Sequence, residues 1–264
     1  MIEYTFFQNA LAGIILVSIA SAIVGTLVVA RRMVFLTGGI THASFGGLGL
    51  GFYAGWNPVV TAALFAVGSA LGIEALTARQ GLRRDSATGV VWAVGMALGV
   101  VFIFLTPGYV PELTSFLFGN VLTITCGDLI AMAIYTVVLV ALLVLGYRYV
   151  LLCAFDSDFA RTRSLPVTAV NTAMTIMIAV CIVLTIRMIG VMLLMSLFTL
   201  PQLVAEQWTR RLHRMMALAA AVSLACALAG LWLSAAWPVP ASATIVLLLV
   251  AAYIISRLLR RIKS

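Results

Sequence analysis

The chain is 264 residues long, 64% hydrophobic and only 9% charged, with a formal net charge of +8. A soluble domain needs about a quarter of its residues charged to face water, so this composition excludes one, and much of the surface must meet lipid. Nucleic acid is excluded as well, because the basic residues sit in short segments between apolar runs and form no solvated basic domain.

Apolar runs of about 18 residues or more can cross a bilayer. Lipid offers the backbone no hydrogen-bond partners, so such spans are helices or closed barrel strands, and the absence of period-2 alternation selects helices. Nine segments are predicted, at 8–30, 40–56, 58–76, 87–106, 128–147, 168–186, 189–205, 215–236 and 242–257; eight follow if 168–205 is one broken helix. The first has no basic region before it and no small-residue cleavage site after it, so it reads as a span and not as a cleavable signal.

The second segment is rich in glycine. Gly47, Gly51 and Gly55 form a double G-x-x-x-G, a small face that lets another helix approach closely; a kinked helix that frees backbone carbonyls is the alternative. His42 lies in the same segment beside Thr41 and Ser44. An ionisable side chain in a span is a functional candidate, and neutral imidazole is a metal ligand; a hydrogen-bonded structural histidine is the other reading.

Glu74 and Glu206 are expected to be solvated at cytoplasmic helix ends, and His213, among arginines, to be a surface charge. Asp85 and Asp128 are expected as N-caps of the fourth and fifth spans. Asp156-Ser157-Asp158 opens a short helix with Phe155 and Phe159 on one face, ended by Pro166. Such a helix either packs into a partner's cleft or lies in the lipid interface. The four cysteines have no CxxC spacing and read mostly as small buried residues.

Lys and Arg set orientation. With the C-terminus in the cytoplasm and nine spans, fifteen of the sixteen basic residues fall inside and only Arg187 falls outside. The outer loops then hold Tyr53, Trp56, Tyr109, Trp232 and Trp237, as an aromatic belt requires. This threading places the N-terminus outside. No Walker A sequence and no HExxH is present, so the chain has no means of hydrolysing ATP and no catalytic residues are assigned.

In chain order, ARRMVFLTGGITHASFGGLGLG, RRDSATGVVWA, SFLFGNVLTITCGDL, AFDSDFA, IGVMLLMSLFTLPQLVAE and VPASATIVL resemble motifs of the permease subunits of zinc, manganese and iron ABC importers, the ABC-3 type. The resemblance covers nearly the whole length. It implies an all-α integral membrane protein, a polytopic bundle of eight or nine transmembrane helices of the type II importer kind. The chain would form a single permease domain over 1–264 with a cytoplasmic coupling segment at about 152–167. It also implies a homodimer in the lipid of the inner (plasma) membrane. Cytoplasmic ATPase subunits would bind at Phe155, Asp156, Asp158 and Phe159, and an extracytoplasmic protein would deliver the metal. No cofactor would be held tightly; the divalent metal would be the substrate, met in transit by His42 with Thr41 and Ser44 as helpers.

Several positions depart from the family pattern. Gly38 stands where many members carry Asp, four residues before the His; Gly46 replaces a Pro, and Ala93 lies near a further His of zinc members. The usual P-A-A-T-A is Pro201-Gln202-Leu203-Val204-Ala205. The alternatives to this reading are a permease for metal chelates, such as siderophores or cobalamin, and a membrane scaffold outside transport.

Overall fold

The computed structural model describes residues 5–80, 83–107, 119, 121–155, 157–163, 165–237 and 239–263. Among them the regular elements are helical: α1 (Thr5–Ala30), α2 (Val34–Ala54), α3 (Pro58–Gln80), α4 (Arg84–Leu105), a 3-10 turn at Val121–Thr123, α5 (Cys126–Phe155), α6 (Ser157–Thr162), α7 (Val167–Leu197), α8 (Leu200–Trp208), α9 (Leu212–Ala236) and α10 (Ala241–Lys263).

Seven stretches of the described residues are long and apolar enough to cross a membrane, and Val167–Trp208 is counted among them as one stretch of 42 residues. At about 1.5 Å per residue that stretch would be about 63 Å long, twice the hydrocarbon core. It is divided by Gly190, whose φ of 79° and ψ of 170° are not helical. Only glycine adopts that region without strain. Helix α2 is outside the seven although it has 21 residues, because its glycines and His42 dilute the apolar side chains. The described elements therefore hold α2 in addition to the seven, and a long stretch folded at Gly190 where two of the nine predicted segments meet.

The chain forms two compact units. One comprises residues 1–30, 113–140 and 185–264. In it α1 packs on α8 and α9, and α9 packs on α8 and α10. A Cβ at Gly13 would meet Met188 and Ile124, and one at Gly25 would meet Gln202 and Phe198. The chain from 188 to 202 thus runs alongside α1 in the same direction. Ala22, Ala205, Met215 and Ala219 close a small apolar cluster where α1, α8 and α9 meet.

The other unit comprises residues 31–112 and 141–184, with α2 at its centre between α3 and α4. Contact between α2 and α4 is through missing side chains: a Cβ at Gly49 would lie 2.6 Å from the Gly99 carbonyl oxygen, and one at Gly46 would lie 2.8 Å from that of Gly95. Gly47 and Gly51 do the same against the first turns of α3, where Thr61, Ala62 and Pro58 approach. Gly55 corrects the predicted packing face. It has nothing within 4 Å and instead ends α2 in the left-handed conformation (φ 70°). A C-cap needs positive φ, which glycine reaches without a steric penalty.

Candidate functional site

Thirteen residues of α2 are buried, and between its ends the helix is uncovered only at His42, Leu48, Leu50 and Phe52. His42 is the one polar side chain among these four, half-buried on a central helix. Its ring stacks on Trp92 of α4, with centroids 4.3 Å apart and planes 6° from parallel. Phe35, seven residues earlier on the same face of α2, contacts the same Trp92 at 6.1 Å. Among the described residues no hydrogen bond to the imidazole nitrogens is present, so the stack fixes the ring while its edge stays available.

Thr41 and Ser44 are buried, and their hydroxyls donate to Thr37 O and Thr41 O, each at 2.7 Å. Both donors are thus turned to the helix's own carbonyls. Among the described residues no group of three His, Cys, Asp or Glu side chains lies close enough to hold a metal. The His42 position supplies one imidazole and no carboxylate.

The segment expected to couple to an ATPase holds a helix of a turn and a half, Ser157–Thr162, ending four residues before Pro166. Asp156 and the side chains of Phe155 and Asp158 lie outside the described residues. Phe159 is exposed, and the Arg163 guanidinium sits 5.4 Å over its ring. Cys153, Ala160 and Val167 are buried together and pin the segment to the helices on either side of it.

Polar side chains differ from their sequence-based expectations in three places. Glu74 is not simply solvated: it accepts hydrogen bonds from the hydroxyls of Thr172 and Thr175 on α7. Beside it Arg31 donates to Asn171 Oδ1 at 2.8 Å. Burial lowers the Arg31 pKa from its ordinary value, the like charge of Arg84 adds to this, and Glu74 opposes it. Asp85 is inside the first turn of α4 and not its cap; Arg83 holds the cap position without a side-chain bond. A carboxylate there still favours the helix through the macrodipole.

Asp128 takes the third helical position. Thr125 is the N-cap, its amide and hydroxyl donating to Asp128 Oδ2 while Thr125 Oγ1 accepts from the Asp128 amide, which makes a capping box. Arg187 lies 3.5 Å from Asp128, so this arginine faces an acid. Gln202, which the motif comparison marks as a departure, is fully buried. Its amide donates to Ser21 O at 3.0 Å against Gly25, whose missing side chain makes room for it.

The comparisons with known proteins agree with this architecture. The chain is 36% identical to an uncharacterized membrane protein of Synechocystis over 98% of its length and 92% of that protein's. It is 30% identical to the manganese transport system membrane protein MntC of Halalkalibacterium halodurans, over 94% of the chain and 85% of the relative. In fold it is similar to PsaBC from Streptococcus pneumoniae, solved in complex with a Fab, with a TM-score of 0.86 and 24% identity over 96% of this chain and 91% of that one. The ABC 3 transport family matches residues 3–260. With that match over nearly its whole length, the chain belongs to the ABC 3 transport family and is a multi-pass permease of the plasma membrane.

Proposed function

We propose that the chain is the membrane subunit of an ATP-driven importer that carries a divalent transition metal (zinc, manganese or iron) into the cytoplasm as a homodimer. The observation that supports metal as the cargo is His42: one imidazole, held by a stack on Trp92, left partly uncovered on an otherwise buried stretch of helix. Imidazole binds all three metals, with affinity rising from manganese through iron to zinc. With Gly38 at the position four residues earlier, binding at His42 is weak and transit fast.

In this reading the chain performs no chemistry of its own. ATP is hydrolysed by separate cytoplasmic subunits that engage the segment around Phe155, Asp156, Asp158 and Phe159. An extracytoplasmic binding protein delivers the metal and supplies most of the selectivity. Thr41 and Ser44 shape α2 around His42 and offer only lone pairs to a passing ion.

The test is His42→Ala in proteoliposomes that contain the cognate ATPase and binding protein. Uptake of the metal is expected to fall at least tenfold while insertion, dimerisation and basal ATP hydrolysis stay as in wild type. Uptake at the wild-type rate would assign His42 to packing alone. Uptake of a siderophore or cobalamin complex in place of the free ion would replace the cargo.

A further inference from the structure

We infer that a cleft at the cytoplasmic end of α5 binds an anionic phospholipid, holding its phosphate between Arg148 and Arg163 and one acyl chain on Val144 and Leu145. The inference goes beyond the transport reading and takes from it only the cytoplasmic placement of α6.

The cleft has a volume of about 700 Å³ and lies between the last turns of α5 and the segment that follows α6. Its two ends differ in chemistry. At one end Val144 and Leu145 are 70% and 81% exposed, an apolar surface that none of the described residues covers. One turn further along α5 come Arg148 and the half-exposed Tyr149, and the opposite wall brings Phe159 and Arg163. Arg163 is held to that wall by its position over the Phe159 ring.

Depth follows from helix geometry. Helix α5 starts at Cys126, and about 20 residues cross the hydrocarbon core. Residues 144 and 145 therefore lie at its inner edge, and Arg148 lies at headgroup depth. Tyrosine beside it is the usual residue of that level. None of the described residues that line the cleft is acidic, and neither arginine makes an ion pair among the described residues.

Two guanidinium groups on facing walls suit a phosphate, which accepts paired N–H donors. Basic pockets on the cytoplasmic side of membrane helices bind anionic headgroups for this reason. A soluble ATPase domain reaches the arginines from the cytoplasm but not the apolar end within the membrane. A lipid covers both.

The test uses the permease purified with its ATPase and reconstituted in nanodiscs of phosphatidylcholine and phosphatidylglycerol. Native mass spectrometry then reads the ratio of the two lipids retained. Wild type is expected to keep phosphatidylglycerol in preference. Each arginine contributes about fivefold, so R148Q/R163Q is expected to lower that preference about 25-fold. R210Q/R211Q, which removes two exposed arginines elsewhere, is expected to keep it. An equal lipid ratio in R148Q/R163Q and wild type would overturn the inference. So would loss of the ATPase from R148Q/R163Q with the preference intact, which would make the cleft a protein contact. Lipid retention is read without transport, so its failure is distinct from a failure of wild type to import metal.

Discussion

At the scale of residues, His42 was legible in part. Its type and its place in a span marked it from the sequence, but its surroundings did not. Trp92, fifty positions away, holds the ring through a tertiary contact that no local pattern announces. His42→Gln is expected to insert normally and to import several-fold more slowly than wild type, because an amide oxygen is a weaker ligand than imidazole. Wild-type uptake is expected to fall as the medium is acidified, since a protonated imidazole cannot coordinate. His42→Gln is expected to lose that acid limb, and uptake rates across pH check both statements. The partners of the half-buried Glu74 escape the sequence for the same reason as Trp92 does. Its hydroxyl partners are 98 and 101 positions away along the chain, and only folding brings them to it.

Elements were legible where their signal is local. Helix positions follow from apolar runs, and Gly47 and Gly51 follow from their four-residue spacing. Gly95 and Gly99 carry the same spacing in α4, but they meet Gly46 and Gly49, and nothing in the sequence pairs one helix with the other. The contact predicts that Gly49→Leu destabilises the solubilised protein by about 1–3 kcal/mol through overpacking against Gly99, read as a lower melting temperature. Gly55→Ala is expected to cost less than Gly49→Leu, because space is open there and only the left-handed cap is strained. At the coupling segment, Phe159→Ala is expected to weaken copurification of the ATPase several-fold while the permease still inserts. Unchanged copurification would remove Phe159 from that contact.

At the scale of the whole molecule, membrane topology connects the charge pattern with the break at Gly190. The sequence leaves eight and nine spans open because 168–205 can hold either one long broken helix or two short ones, with Arg187 between the two apolar runs. Backbone geometry adds what hydropathy does not show: a non-helical glycine interrupts a stretch that would be twice the bilayer's thickness. Across the break, from Met188 to Gln202, the chain runs parallel to α1 between Gly13 and Gly25. Nine crossings with the C-terminus in the cytoplasm would place Asn57 outside and Thr162 inside. A cysteine at Asn57 is expected to react with an impermeant maleimide in intact cells, and one at Thr162 only after permeabilisation. Metal import is read out by ATP-dependent uptake of zinc, manganese and iron in proteoliposomes holding the permease, its ATPase and its binding protein. At least one of these ions is expected to accumulate with ATP and not without it, whereas no ATP-dependent accumulation of any of the three would contradict the account.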